Sequence, residues 1–181
     1  MKLKTLMYAF CSMMLVSGVL FSADDQEIKP RQSPYAETLQ RIGTTDVKIT
    51  YHRPGVKGRE IWGKLVPYGG DMPWRAGAND ATTFSITKDV TIEGRELPAG
   101  SYTFYAFTGE DEWTLVFNKV EKTWGSFKYD KEQDVLRVTV KPEKAEHQEW
   151  LLYGFDDLSE SSATAFLHWE KVKVPFTIEA K

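Results

Sequence analysis

Residues 59–83 hold an unusual concentration of side chains that can bind a ligand. The segment reads REIWGKLVPYGGDMPWRAGANDATT. Its guanidinium, amide and carboxylate groups can form directional hydrogen bonds, and its aromatic rings offer flat apolar faces. We single out seven candidate binding residues: Arg59, Trp62, Tyr68, Trp74, Arg75, Asn79 and Asp80. This combination suits a sugar, another polyol or an acidic small molecule.

The same segment also has a purely structural interpretation. Its glycines permit tight turns, and its two tryptophans can cover one end of a fold. Arg59 or Arg75 can pair with Asp80 and so pin a long connection. Asn79 and Asp80 could bracket neighbouring hydroxyl groups of a ligand, but an Asn-Asp pair is also an ordinary turn sequence. The sequence leaves both interpretations open.

His168 and Glu170 form a second polar cluster near the carboxyl end. Counting by twos back along the last strand places both side chains on the same face as the apolar row at positions 174, 176 and 178. Either a bulge at residues 170–171 returns them to solvent, or an arginine inside the fold pairs with Glu170. If they open toward the 75–80 loop, the protein has the groups needed for acid–base catalysis.

The sequence lacks the common catalytic and metal-binding motifs. It has no Gly-x-Ser-x-Gly nucleophile elbow, no phosphate-binding glycine loop and no paired-histidine zinc motif. His52, His147 and His168 are far apart in the chain, and residues 130–134 lack the glycine and terminal Glu of a calcium loop. We therefore expect no metal and no cofactor, and we favour a non-catalytic role.

The amino end predicts export from the cytoplasm. A basic start at residues 2–4 precedes an apolar run over residues 6–21, the pattern of a cleaved signal peptide over residues 1–23. The only cysteine, Cys11, lies inside this run, so the mature chain has no thiol, which suits an oxidising compartment. The run is short for a membrane span, and we expect a periplasmic or extracellular protein with no stable span after cleavage.

Charge and length restrict the partners and the number of domains. The chain has 23 basic and 26 acidic residues, and loss of Lys2 and Lys4 with the signal peptide leaves a net charge of −5 without a basic run, so nucleic acid is not an expected partner. Residues 24–34 mix charges with two prolines and lack periodicity, which predicts a flexible lead. Residues 35–181 then form a single domain with one core.

From residue 36 onward the hydrophobic pattern has a period of two, which predicts strands. Apolar rows cover residues 47–51, 113–117, 136–140 and 172–178. Residues 101–107 are apolar on both faces, so we place this strand centrally, whereas Pro175 confines the last strand to an edge or a bulge. The pattern predicts an all-β fold: a single-domain antiparallel β-sandwich of about nine or ten strands, with jelly-roll connections as one option.

Five strings stand out as motifs: residues 53–59 (RPGVKGR), 61–69 (IWGKLVPYG), 74–82 (WRAGANDAT), 97–102 (LPAGSY) and 169–170 (WE). Together they resemble an uncharacterised bacterial family, domain of unknown function 2911, over most of the mature chain. The family's pattern usually has Glu at the position of Asp80, and the shorter residue keeps the carboxylate. The resemblance implies an exported, β-rich domain with no assigned activity.

Three hypotheses follow for the function. We favour a non-catalytic binding module of the cell envelope for a carbohydrate or other small polar ligand. One alternative is a structural or interaction domain in which the motif braces the fold. The other is a hydrolase-like enzyme that uses His168, Glu170 or Asp80, which requires two of these residues to meet in a cleft.

Overall fold

The chain folds into two antiparallel β-sheets packed face to face. We describe residues 30–120 and 123–181 of a computed structural model. These residues form ten strands and one 3-10 turn (Lys131–Gln133), and none of their helical segments is long and apolar enough to cross a membrane. The predicted signal peptide and residues 24–29 of the predicted lead lie outside the described residues.

The larger sheet consists of six strands in the spatial order β1-β2-β3-β6-β7-β8. The strands are β1 (Tyr35–Ile42), β2 (Thr45–His52), β3 (Thr83–Ile86), β6 (Gly100–Phe107), β7 (Trp113–Asn118) and β8 (Asp134–Val140). All neighbours are antiparallel, so the sheet is two three-stranded meanders joined between β3 and β6.

The smaller sheet has the order β5-β4-β10-β9. Its strands are β4 (Val90–Ile92), β5 (Arg95–Leu97), β9 (Glu143–Asp156) and β10 (Ser162–Ala180). The last two form one long hairpin whose pairing runs from Thr164↔Asp156 to Lys173↔Glu143. Most neighbours in both sheets are sequential strands, whereas jelly-roll connections place non-sequential strands side by side. The prediction of an antiparallel sandwich of nine or ten strands is confirmed.

Alternation of apolar and polar residues places the core between the two sheets. In β2, Val47, Ile49 and Tyr51 are buried, while Lys48 and Thr50 are only half-buried on the outer face. This is the period-two pattern that the sequence predicted, and each such row removes apolar surface from water.

The central strand β6 is covered on both faces, as predicted. Phe104 belongs to the main core between the sheets. Tyr105, on the opposite face, is fully buried against Val116 and Tyr129, and its hydroxyl lies 2.9 Å from the Thr123 hydroxyl. The connection between β7 and β8 therefore folds back over the outer face of the larger sheet.

Of the two positions that the sequence allowed for Pro175, an edge or a bulge, the edge is wrong, because β10 lies between β4 and β9. Pairing of β10 with β9 ends at Lys173, and pairing with β4 begins at Ile178. Pro175 lies between these two ladders, where β10 changes partner. A residue without an N–H is tolerated there because no ladder hydrogen bond is required of it.

A β-bulge at Glu170 exchanges the two faces of β10. The pairing register with β9 shifts on both sides of Glu170, whose φ is +56°. Before the bulge Leu167 and Trp169 are buried, and after it Val174 and Phe176 are buried. The core row thus moves from odd to even positions, so counting by twos through the bulge puts residues on the wrong face.

Candidate functional site

Residues 75–82 form a loop between Trp74 and the start of β3, and the chain pairs with β6 on both sides of this loop. Before the loop, Trp74 exchanges two backbone hydrogen bonds with Ala106, at 2.8 and 2.9 Å. At its end, Thr82 N donates to the Arg75 carbonyl at 3.2 Å, which closes the loop. The sheet therefore holds both ends of the loop, and Arg75 has a fixed position beside the core.

Hydrogen bonds from both sheets hold the base of this loop. The Ala76 carbonyl accepts from the Thr82 hydroxyl at 2.9 Å and from the Tyr153 hydroxyl at 2.8 Å. Burial raises the pKa of Tyr153 well above its ordinary value, so this hydroxyl stays protonated and donates. The base is closely packed at Gly77, where a Cβ would lie 3.0 Å from the Thr82 hydroxyl and 3.2 Å from the His52 carbonyl.

The first candidate site is a cavity of about 410 Å³ beside the loop. Four of the seven predicted binding residues line it: Arg59, Trp74, Arg75 and Asn79. Lys57 and Trp169 also line it, and none of the described lining residues is Asp or Glu. We call it the basic cavity. Three cationic side chains without a carboxylate in the lining favour an anion.

Arg75 is the cation most deeply placed in the basic cavity. Its side chain is half-buried, and burial lowers its pKa, with no carboxylate contributing. Its Nε atom is buried and has no hydrogen-bond acceptor among the described residues. Arg59 is exposed, and its guanidinium donates to the carbonyls of Val56 and Gly55. The predicted pairing of Arg59 or Arg75 with Asp80 is therefore wrong.

A cluster of four tryptophans forms the wall between the basic cavity and the core. The Trp62 ring lies 5.0 Å from Trp113 and 5.7 Å from Trp169, and Trp74 stacks on Trp169 at 6.0 Å between ring centroids. Trp113 and Trp169 are each 1% exposed, whereas Trp62 and Trp74 are half-buried. The Nε1 atoms of Trp62 and Trp169 have no acceptor among the described residues. Trp62 thus supports the wall, and Trp74 lines the cavity.

Tyr68 lies apart from the described lining of the basic cavity. Burial raises its pKa, and the nearby carboxylates of Glu110 and Glu170 raise it further. Its ring contacts the turn at Gly63, where a Cβ would lie 3.3 Å from two ring carbons. Tyr68 therefore packs on the turn before the loop and is not joined to Arg75 and Asn79.

Asp80 lines a different and larger hollow, of about 710 Å³, on the outer face of the larger sheet. We call it the sheet-face cavity; its lining includes Arg31, Tyr35, Thr50, His52, Asp80 and Thr83. Asp80 Oδ2 lies 3.4 Å from Arg31 Nη1 and 4.0 Å from His52 Nε2.

Asn79 and Asp80 line separate cavities, although they are adjacent in the chain. Asn79 Nδ2 donates to the Ser33 carbonyl at 3.2 Å, beside the basic cavity. Arg31 instead reaches Asp80, so residues 31–33 run between the two cavities. The lining of the two cavities therefore does not support the idea that Asn79 and Asp80 bracket neighbouring hydroxyls of one ligand.

The bulge also separates the second polar cluster from the loop. His168 and Glu170 are half-buried on the side of β10 away from the core. The His168 ring nitrogen lies 2.9 Å from the Glu146 carbonyl, and Glu170 accepts from the next backbone N–H, of Lys171. An ion pair of Glu170 with an arginine inside the fold does not form among the described residues. No hydrogen bond in this part of the chain joins His168, Glu170 or Asp80 to one another.

The environment of His52 leads to a prediction about acid stability. His52 is 8% exposed, and burial lowers its pKa below the ordinary value of 6.5, an effect that Asp80 opposes and Arg31 reinforces. Below about pH 6.5 the unfolded chain takes up a proton that folded His52 still rejects, so the free energy of unfolding falls as the pH drops. We expect His52→Gln to remove this part of the decline.

Melting temperatures of the wild type and His52→Gln between about pH 7.5 and 5 measure this effect. His147→Gln controls for the loss of an exposed histidine, since His147 lies on β9 beside Glu149. Identical pH profiles for the wild type and His52→Gln would contradict the prediction.

Several residues of the two cavities escaped the sequence interpretation. Lys57 lies in the 53–59 motif but was not singled out as a binding residue, and Arg31 lies in the segment that we interpreted as a flexible lead. Trp124 and Tyr35 belong to none of the polar motifs that we singled out in the sequence. Both side chains are nevertheless largely exposed, at 60% and 61%. A large aromatic residue in a polar, glycine-containing connection is the signal that could have marked Trp124.

The chain is thus a two-sheet antiparallel sandwich with a basic cavity at one loop and a hollow on one sheet face. Among the described residues, no three His, Cys, Asp or Glu side chains gather into a group that could hold a metal ion. The chain belongs to the family described as "Protein of unknown function (DUF2911)", whose model matches residues 33–178. This confirms the resemblance that the motifs indicated. Neither the curated proteins nor the solved structures include a match to the chain.

Proposed function

We propose that this protein is an exported, non-catalytic binding module that holds a small acidic ligand in the basic cavity. The observation that carries the proposal is the half-buried guanidinium of Arg75, which has no carboxylate partner among the described residues. A partly desolvated charge is costly unless an opposite charge and hydrogen bonds compensate it. A bound carboxylate, sulfate or phosphate group would provide both.

The rest of the lining fits a ligand with one acidic group and one flat face. A guanidinium can bind an acidic group through two parallel hydrogen bonds, and Lys57 and Arg59 add positive charge nearby. Trp74 offers an apolar face to a ring, and Asn79 can contribute its amide oxygen. The volume of about 410 Å³ suits a small molecule. We therefore propose an acidic sugar or another small organic anion.

One neighbouring carboxylate moderates the charge of the cavity. Glu149 accepts a hydrogen bond from the Lys57 backbone N–H at 2.9 Å, and the Lys57 ammonium lies 5.6 Å from the centre of the Trp150 ring. Because the lysine side chain already has this contact, we assign the main role to Arg75 rather than to Lys57.

The proposed location rests on the leader and on the absence of thiols. Residues 1–23 have the composition of a signal peptide, and the remaining chain has no cysteine. A non-catalytic role agrees with the hydrogen bonds of His168, Glu170 and Asp80, since each of the three side chains has a different partner and none of these bonds joins two of them. The hydrolase hypothesis therefore has no geometric support.

Arg75→Gln is the variant that tests the proposal. We expect it to lower the affinity for an acidic ligand about 10- to 100-fold, because it removes charge-assisted hydrogen bonds while keeping the length of the side chain. Calorimetric titration with glucuronate, galacturonate, N-acetylneuraminate and citrate measures the affinity, with glucose as the neutral counterpart of glucuronate. Added salt should weaken the binding of the anions only.

Arg41→Gln is the matched control, since Arg41 lies on edge strand β1 and pairs with Asp46 at 2.6 Å. Arg75→Gln should keep the wild-type melting temperature, because no carboxylate loses its partner. A panel in which no anion binds the wild type would overturn the proposal. If Arg75→Gln also lowered the melting temperature strongly, a bracing role for the motif would be favoured instead.

A further inference from the structure

We infer that the outer face of the larger sheet carries a second binding site, for a neutral oligosaccharide. The sheet-face cavity, of about 710 Å³, continues into a hollow of about 230 Å³, because Thr50 and Thr83 line both. Together they form a groove across β2, β3 and β6. This is longer than a single sugar needs and suits a short chain of sugar rings.

Hydroxyl groups from three strands form the floor of the groove. Thr50 pairs with Thr83 across β2 and β3, and Ser85 pairs with Ser101 across β3 and β6. Cross-strand partners project to the same face, so these hydroxyls lie in rows. The Ser85 and Ser101 oxygens are 2.9 Å apart. Each hydroxyl is both a donor and an acceptor, which matches the hydroxyl groups of a sugar.

We assign two exposed aromatic rings to the larger hollow of the groove, one from its lining and one from the segment bridged to Asp80. Tyr35 lines it, and its ring is 61% exposed. Trp124 is 60% exposed and forms an antiparallel bridge with Asp80, so its ring projects to the same side as the Asp80 carboxylate. Exposed aromatic rings beside polar groups are typical of surfaces that stack on the apolar faces of a ligand.

The charge of the groove distinguishes its ligand from that of the basic cavity. Arg31 and Asp80 lie 3.4 Å apart and largely neutralise each other, while both side chains remain more than half exposed. This pair offers donors and acceptors to a neutral polyol without adding net charge. Lys48 lines the smaller hollow and pairs with Ser85 across β2 and β3, which adds one cation to the groove, against three cationic side chains in the lining of the basic cavity. The two cavities share no lining residue among those described, since residues 31–33 separate them. A ligand can therefore occupy either site independently.

A peptide is the other occupant to consider, and the structure favours the oligosaccharide. Extended peptides bind mainly by adding a strand to an open sheet edge. The groove instead crosses β2, β3 and β6, whose backbone groups are paired within the sheet. Side-chain hydroxyls and aromatic rings are the groups that this face presents.

Calorimetric titration with neutral cello-, xylo-, malto- and chito-oligosaccharides of one to six units tests the inference. We expect one series to bind, with an affinity that rises with chain length until the groove is filled. Trp124→Ala and Tyr35→Ala should each weaken binding about tenfold, since each removes a stacking face. Leu158→Ala, which removes an exposed side chain from the turn between β9 and β10, should leave the affinity unchanged.

Because both rings are exposed, the variants should fold with wild-type melting temperatures. The inference is overturned if none of the four series binds, if Trp124→Ala binds as tightly as the wild type, or if a peptide library yields a ligand that displaces the oligosaccharide. Titration of the same variants with glucuronate measures binding to the basic cavity. The two proposals can therefore be confirmed or overturned independently of each other.

Discussion

Replacing Trp169 with alanine is expected to lower the free energy of unfolding by about 3–5 kcal/mol. The Trp169 side chain is 1% exposed and contacts Trp74 and Trp62, with ring centroids 6.0 and 5.7 Å away. Deleting the ring leaves a cavity in the core between the two sheets, and the sheets cannot move together to fill it. Urea denaturation of the wild type and the variant measures the loss.

Two other variants separate burial from residue type. Trp124→Ala makes the same chemical change at a ring that is 60% exposed, so we expect a change below about 0.5 kcal/mol. Trp169→Phe should cost less than alanine, because phenylalanine keeps an aromatic ring and leaves a smaller cavity. Neither variant leaves an acceptor unpaired, since the Trp169 Nε1 has none among the described residues. A loss for Trp169→Ala as small as that for Trp124→Ala would show that the tryptophan cluster does not hold the sheets together.

The strands were predictable because burial on one face imposes a period of two. Residues 47–51 and 113–117 fall within β2 and β7, and the apolar residues on both faces of 101–107 correctly indicated a strand covered twice. Alternation cannot show where a strand changes parity. The bulge at residue 170, which was one of the two alternatives that the sequence offered, is confirmed, and it puts His168 on the face opposite to the core row at 174, 176 and 178.

The binding segment was predictable in part. Residue types located Arg59, Trp74, Arg75 and Asn79, which do line one cavity. The partner of each charge was not predictable, because an ion pair depends on which distant segment crosses the loop. Here residues 31–33 cross the loop, so Asp80 pairs with Arg31. Arg75 is left without a carboxylate partner among the residues that the structure describes. The spacing of residues along the chain does not show which distant segment will cross the loop.

Asn118→Ala is expected to destabilise the fold by about 2–4 kcal/mol and to disorder the connection that carries Trp124. Asn118 is fully buried at the end of β7. Its amide nitrogen donates to the Asp130 carbonyl at 2.8 Å and to Asp134 Oδ1 at 2.7 Å, and its oxygen accepts from Val120 N at 2.9 Å. Alanine leaves all three partners without this side chain.

Since these bonds tie the start of the connection to its end, their loss should act on function as well as on stability. We expect faster amide exchange over residues 123–130 and an oligosaccharide affinity as low as that of Trp124→Ala, with glucuronate binding less affected. The chain offers a matched control in its only other asparagine, Asn79, which makes one side-chain hydrogen bond at 3.2 Å. Asn79→Ala should cost less than about 1 kcal/mol and leave exchange over 123–130 unchanged. Equal exchange rates in the two variants would mean that the connection is held over β6 by Tyr105, Val116 and Tyr129 alone.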